Sequence, residues 1–471
     1  MSSNNKKALT AGTWYVISNF MIKAIALLTT PIITRLLTPE DYGLSTTYLS
    51  VFNIITIIGT LDLYSSVQIA NFDFEDNELD SFMSSILGLS SISVFLLYMV
   101  VRIFPEFSLQ MMGLDLNLIG FLFLNVLLTN AYTLLQTKHR SQLKYKEFVL
   151  MSVFVSILSP IISIILINRM EENLYLGRIV GNALPQMILS IFIFGYIIFK
   201  GKTLFNKVYW NYALKISIPL IPHHLSGSIL SQSDRIMINN LVGATQVGLY
   251  SLAYSYSTIL QVLWTSFNQA WVPWFYGKMK EQKYEEIKYF VKPYSILFSL
   301  FYMGMVGLGP EAIQVFGPSQ YQSGMWIVPP VLLGIFFQFL YSLYVNIEFY
   351  LKKTQYIAIG TFIAAGVNLV LNFIFIPKYG YIAAAYTTLI GYIILFILHY
   401  YIVKNWIDTD IIGIKFLLTW LLVIISFTII MMFLYQYQFY RYVFLGVSYL
   451  AIIVPNLQKF KNILSTFKNN K

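Results

Sequence analysis

The side chains in this sequence that could do chemistry are few, and most stand inside long apolar runs. Lys23 is ten residues into the first run and Asp62 lies within the second. The seventh holds consecutive histidines, His223 and His224, followed by Gln232, Asp234 and Arg235; Glu348 lies in the tenth. An ionisable group at mid-bilayer costs roughly 2.5–3.5 kcal/mol, so such groups are kept for a partner, a water-filled cavity or a cargo. Lys23 and Arg235 offer positive charge to an anion. Asp62 and Glu348 are carboxylates that can pair structurally or titrate with a coupling cation. His223, His224 and Gln232 add hydrogen-bonding groups suited to a polar ligand.

Depth leaves each of these readings open in a defined way. Lys23 is about 15 Å into its run at the α-helical rise, close to the midplane, where it faces either an aqueous cavity or a buried ion pair. Arg235 is about 9 Å from the outer end of its run, so it can face a cavity or snorkel to the interface. Asp234 and Arg235 are adjacent, point about 100° apart on a helix, and each needs another partner. Arg178 and Glu311 lie near span ends and read as interfacial. The two histidines lack an acid at i+3 or i+4, so no metal site is expected. With no cysteine in the chain, disulfides and thiolate chemistry are excluded, and no cofactor is expected beyond coupling to H⁺, Na⁺ or the membrane potential.

The elements that must position these groups are membrane-spanning helices. The chain is 57% hydrophobic and only 11% charged, whereas a soluble chain carries about 25% charge. Its apolar runs suit the ~30 Å hydrocarbon core as helices, and the ten-residue alternation of a membrane barrel is absent. About fourteen spans are expected. They fall at residues 13–37, 44–69, 82–104, 116–136, 148–167 and 174–199, then 212–241, 248–275, 289–315, 325–350, 356–376 and 382–403, then 414–434 and 442–454.

Lysine and arginine test that count. With the N-terminus inside, Lys6, Lys7, Lys138, Arg140, Lys144, Lys146, Lys200, Lys202, Lys207, Lys278, Lys280, Lys283, Lys288, Lys352, Lys353, Lys404 and the four lysines after Gln458 all fall on the cytoplasmic side. Arg35, Arg169, Lys378 and Arg441 are left for the outer loops. This asymmetry predicts both termini in the cytoplasm. It also accounts for the net charge of +10 without a nucleic-acid partner. MSSNNKKAL reads as a polar lead into an uncleaved first helix.

Two stretches repeat. Sliding the passage at residues 33–54 by 205 positions pairs Ile33 with Ile238, Leu36 with Leu241, Gly43 with Gly248, Leu44 with Leu249, Ser50 with Ser255 and Ile54 with Ile259. Halves related in this way mark transporters built from repeats. They divide the chain into an N-terminal lobe at 1–205, a C-terminal lobe at 206–405, and two extra spans with a tail at 406–471. Glu40 and Asp41 after Pro39 are a helix-start signal, and Gly43 and Gly248 read as packing positions.

The motifs RLLTPEDYGLS, SDRIMINNLVGATQVGLYSLAY and IPKYGYIAAAYTTLIGYII resemble signatures of Wzx-like polysaccharide flippases. These form a branch of the multidrug/oligosaccharidyl-lipid/polysaccharide exporter superfamily. Ala383 stands where that pattern usually has glycine. The resemblance implies an all-α polytopic membrane protein with two pseudo-symmetric six-helix lobes and two added helices. It implies alternating access, and a cargo of oligosaccharide on undecaprenyl pyrophosphate moved from inner to outer leaflet. It further implies a bacterial plasma membrane location, a role in capsule or other surface-polysaccharide assembly, and work beside a polymerase. A cation-coupled multidrug exporter is the alternative. A membrane-embedded polymerase or glycosyltransferase fits less well, because no loop is long enough for a catalytic domain.

Overall fold

Backbone groups in lipid must bond within their own segment, which leaves helix as the available structure. The computed structural model is helical, with no strand among the residues it describes, 3–407 and 410–469. Side chains are described for residues 10–407 and 410–456. Lys6, Lys7 and the lysines after Gln458, on which the expected cytoplasmic termini partly rest, lie outside that set.

In chain order come α1 (Ser3–Leu36), α2 (Pro39–Gly59), α3 (Tyr64–Asp73), α4 (Asp76–Ile103), α5 (Pro105–Met112), α6 (Leu116–Ser141), α7 (Tyr145–Ile167), α8 (Leu174–Gly201) and α9 (Lys207–Ser217). Then follow α10 (Ile221–Val242), α11 (Ala244–Lys280), α12 (Tyr284–Gly307), α13 (Gly309–Phe316), α14 (Val328–Tyr350), α15 (Thr354–Tyr379), α16 (Tyr381–Lys404), α17 (Ile414–Leu434) and α18 (Gln438–Asn469). They gather into two compact units. One comprises Met1–Ser251 with Leu369–Ala384, the other Leu252–Asn368 with Ala385–Lys471. In the first, α3, α4, α6 and α8 bury a core that includes Val67, Phe82, Ile86, Leu134 and Ile197. In the second, α14 is the central helix and is almost wholly buried.

Twelve helices among the described residues are long and apolar enough to cross a membrane. The two expected spans that fall short are α10 and α11. Both are long helices, but α10 carries the histidines, Gln232, Asp234 and Arg235, and α11 is rich in tyrosine, serine and glutamine. Three expected spans are also interrupted. The second stops at Gly59; Leu61 and Asp62 both take left-handed backbone angles, and α3 begins at Tyr64. The seventh is cut by a 3₁₀ turn at Ile218–Leu220, where Pro219 and Pro222 remove backbone donors. The ninth ends at Gly307, before Pro310.

The repeat has a physical counterpart. Thr38 caps α2, accepting from the Asp41 N–H at 3.1 Å, with Pro39 in the first turn. The start of α2 then crosses the start of α11 with nothing between the backbones. A Cβ on Gly43 would lie 1.9 Å from the Ala244 carbonyl oxygen, and one on Gly248 would lie 1.9 Å from that of Pro39. Pro39 and Ala244 are themselves related by the 205-residue shift, so the clash is reciprocal. One turn on, the Thr46 and Ser251 hydroxyls, also 205 apart, meet at 3.0 Å. A local two-fold relation therefore runs through this crossing.

Backbone atoms cannot move aside as a flexible side chain would. Gly43→Ala and Gly248→Ala should each cost about 3 kcal/mol or more, read as a lowered unfolding midpoint of the purified protein. Gly195→Ala, where a Cβ meets nothing within 4 Å, should change stability by less than about 0.5 kcal/mol. Equal stability of all three variants would remove the crossing as a constraint.

Candidate functional site

Helices α2 and α10 lie side by side in the first unit, and the polar residues singled out in the sequence are distributed along them. At one end Asp62 is fully buried in the break between α2 and α3. Its Oδ2 accepts from the Ser65 hydroxyl at 2.7 Å and lies 2.9 Å from Nδ1 of His224. An ionised carboxylate only accepts, so the imidazole N–H points at the aspartate. The Asp62 Oδ1 atom is buried and has no protein partner. The Tyr64 ring stacks on His224 at 6.4 Å. His223 turns away, with its buried Nδ1 also unpartnered. Midway along the pair, the Ser50 hydroxyl donates to Gln232 Oε1 at 3.1 Å.

Nearer the crossing, Asp234 and Arg235 diverge as adjacent helical residues must. Asp234 is buried and accepts from the Tyr250 hydroxyl at 2.6 Å and from Asn372 Nδ2 at 2.7 Å. Arg235 donates to the Ser251 hydroxyl at 3.2 Å and the Ser231 carbonyl at 3.1 Å, with its guanidinium 5.7 Å from the Tyr250 ring centre. Both are thus built into the junction of α10 with the start of α11. Arg178, expected at an interface, clamps the first turns of α2. It donates to the Tyr42 carbonyl and to Ser45 Oγ, and lies 4.0 Å from the Tyr42 ring centre.

Lys23 is different. It stands exposed in the middle of α1 and makes no ion pair among the described residues. Of the two readings open at the sequence level, the buried ion pair is absent.

The second unit holds its own acid–histidine pair. Glu348 on α14 and His399 on α16 are both fully buried, with Glu348 Oε1 2.5 Å from His399 Nδ1. Glu348 Oε2 and His399 Nε2 have no protein partner. Gly360 of α15 leaves room for the ring, since a Cβ there would lie 2.7 Å from Nε2. Trp264 donates to Ser342 at 3.2 Å and Asn346 donates to Asn268 at 2.9 Å, so α11 is tied to α14 by polar contacts. Arg441, expected in an outer loop, is buried on α18. It pairs with Glu311 and donates to the Tyr435 carbonyl.

The structure therefore joins Asp62 to His224 and Glu348 to His399, and gives Lys23 no ion pair among the described residues. Sequence reasoning named both acids and both halves of the first pair, yet matched none of them. The sequence put Arg178 at an interface and Arg441 in an outer loop and carried no local signal for the roles of His399 and Asn372, because the partners of all four are distant in the chain. Chemically, the pairs can hold a proton, and the lone lysine can meet an anion.

Comparisons with known proteins agree with this architecture. The family described as polysaccharide biosynthesis protein matches residues 9–278. An uncharacterized membrane protein of Methanocaldococcus jannaschii is 24% identical, covering 98% of this chain and 99% of its own length. An Lsg-locus protein of Haemophilus influenzae is 20% identical over 57% of this chain and 66% of its own length. Among solved structures, the lipid II flippase MurJ in an inward closed conformation superposes with a TM-score of 0.63 at 19% identity, over 91% of this chain and 98% of MurJ. An inward-facing multidrug resistance transporter of the MATE family gives 0.58 at 14% identity, over 82% and 96%. At these identities the likeness establishes the fold.

Removing one member of a buried pair leaves the other uncompensated. His399→Leu should destabilise the protein by about 3–5 kcal/mol, and Glu348→Leu with His399→Leu should recover most of that loss. The comparison of unfolding midpoints checks it; a double variant no more stable than His399→Leu alone would show that the pair is not an electrostatic unit.

Proposed function

Because the chain belongs to the polysaccharide biosynthesis protein family, we propose that it is a flippase for undecaprenyl-pyrophosphate-linked oligosaccharide repeat units. It carries them from the inner to the outer leaflet of a bacterial plasma membrane by alternating access, in the assembly of capsule, exopolysaccharide or another surface polysaccharide. The MurJ likeness supports a lipid-linked cargo, since that neighbour's name is lipid II flippase.

The observation that carries this reading is Lys23. A pyrophosphate entering a low-dielectric region pays a large desolvation cost unless positive charge meets it. An exposed, unpaired ammonium midway along a spanning helix is too deep to face lipid at low cost. It fits an aqueous path used by an anion. In this reading Arg235, half-buried near the repeat crossing, is a second cation for the cargo, and His223 and Gln232 supply hydrogen bonds for sugar hydroxyls. The polyprenyl tail stays with lipid. In the second unit Tyr256, Leu297, Phe301, Gly304, Leu308 and Tyr449 line an apolar groove of about 350 Å³ that fits such a tail.

In this reading the lobes at 1–205 and 206–405 rock against each other, the helices of 406–471 flank the tail, both termini are cytoplasmic, and a polymerase receives the product. Coupling to H⁺, Na⁺ or membrane potential drives the cycle. A cation-coupled drug exporter is the second reading, favoured by the shared MATE fold. Against it, Asp62 and Glu348 are already engaged by histidines, and the exposed mid-span charge is a lysine, which repels a cationic drug.

The test is the leaflet distribution of lipid-linked repeat units in cells lacking the protein. Accumulation facing the cytoplasm, relieved on restoring it, is the expected result; accumulation in the outer leaflet would indicate a polymerase or ligase. Lys23→Ala should lower translocation about tenfold, the equivalent of about 1.4 kcal/mol, at normal yield of folded protein. Lys23→Arg should keep most activity. Full transport by Lys23→Ala combined with Arg235→Ala would end the anionic-cargo reading.

A further inference from the structure

We infer that Asp62 and His224 form a proton-binding site whose occupancy sets how firmly the N-terminal end of α10 is held to the break between α2 and α3. The inference rests on the transporter reading only for the use of that movement; the site itself stands on its own geometry.

The first support is the state of the acid. Asp62 is fully buried, yet only its Oδ2 is engaged, by Ser65 and His224, while Oδ1 has no protein partner. A carboxylate charge left this way in an apolar setting is poorly compensated. The second is access: the His224 side chain is one-third exposed although Asp62 is not. With Nδ1–H donating to the aspartate, Nε2 is the free acceptor. A proton from water adds there, and the pair passes from one net negative charge to an electrically neutral ion pair. Low dielectric favours the neutral form and strengthens the attraction across the contact.

The third support is the backbone. Leu61 and Asp62 are both left-handed at φ 52, a conformation that costs a residue with a Cβ, leucine more than aspartate, and that concentrates at functional positions. It is this break that turns the carboxyl group towards α10. No glycine is present to ease it, so the placement of Asp62 is retained against a local preference.

Other titratable groups near the pair do not supply the missing compensation. Tyr64 stacks on the imidazole and its hydroxyl also faces the Asp62 carboxylate, but it is neutral and brings no positive charge; His223 lies 5.6 Å from the His224 ring between ring centres. On neighbouring helices, Asp73 accepts from Tyr212, Asp80 is paired with Lys138 and Lys200, and Lys215 of α9 is exposed. Among the described residues, the group that can bring positive charge to Asp62 is His224.

The absence of native cysteine makes the test direct. Spin labels are placed through Asn53→Cys on α2 and Gly227→Cys on α10, both exposed positions, in the full-length protein reconstituted without cargo. Between pH ~5.5 and ~8, where an imidazole changes charge, the ratio of close to separated populations should fall at least about threefold as pH rises. His224→Gln and Asp62→Asn should abolish the response. If Asp62→Asn does not fold, the His224→Gln variant, at a partly exposed position, and the unmodified protein still decide. A pH-independent distribution, a response that persists in His224→Gln, or a response to sodium at constant pH would each overturn the proposal. Because no cargo is present, a positive result alongside failed translocation of lipid-linked sugars would retain the proton site and remove the flippase reading.

Discussion

The constraint on which the first unit depends is the crossing of two backbones at Gly43 and Gly248. Each glycine makes room for the carbonyl oxygen of the residue that caps or begins the other helix, Ala244 and Pro39. Helices cannot approach this closely through side chains of any size, and in lipid close backbone approach is a main source of association, because apolar side chains gain little by leaving one apolar medium for another. Once the crossing is set, α2 and α10 must run alongside each other. Ser50 then reaches Gln232, and the far end of α2 arrives beside His224. Arg178 holds the first turns of α2 from the side of α8. The polar groups of this unit are in register because one contact with no slack sets where both helices begin.

The choice of histidine at both buried acids follows from the same surroundings. A lysine or arginine beside Asp62 or Glu348 would make a permanent ion pair, whose desolvation cost is large and whose charge state does not change near neutral pH. Histidine is the one partner whose charge can follow conditions in that range. The two pairs differ in access, however. Glu348 and His399 are enclosed among α14, α15 and α16, with Gly360 fitted to the ring. His224 keeps an exposed face. Enclosure suits a pair that fastens helices, while a half-open imidazole can exchange its proton without unfolding its surroundings.

Much of this was legible in the sequence, and the failures share a physical cause. Apolar length revealed helices, and the 205-residue shift marked Gly43 and Gly248 as packing positions, though only the structure shows that each meets the start of the other's helix. Asp62 and Glu348 were recognisable as costly residues that needed a reason. Their partners were not, because Asp62 and His224 are 162 residues apart and are joined only through the packing of α2 on α10. The cut at Ile218–Leu220 was readable from two prolines; the break at Leu61 and Asp62 was not, since neither residue is a helix breaker and tertiary placement overrides local preference. Both α10 and α11 are expected spans, yet among the described residues these two helices, which carry most of the polar groups, are not apolar enough to rank with the other twelve. Helices that line polar surface inside a membrane protein are those a hydropathy criterion is least able to see.

The last two helices show what polar bonding does where apolar burial gives little drive. Residues 406–471 read as an apolar addition, yet they are fastened to α12 by hydrogen bonds at successive levels. Trp420 donates to Ser299 at 2.7 Å, Tyr302 and Thr428 share a bond of 2.6 Å, Tyr435 donates to the Val306 carbonyl at 2.9 Å, and Tyr449 donates to the Leu300 carbonyl at 2.8 Å. Buried Arg441 adds an ion pair to Glu311. These bonds leave α17 and α18 most of their surface for lipid while fixing them to one face of α12. The groove beside Tyr449 and Gly304 is consequently walled by helices that cannot drift apart. An apolar chain entering that groove would meet a surface whose shape is set by hydrogen bonds made behind it, and this is how a contact with no polarity of its own can still have a defined position.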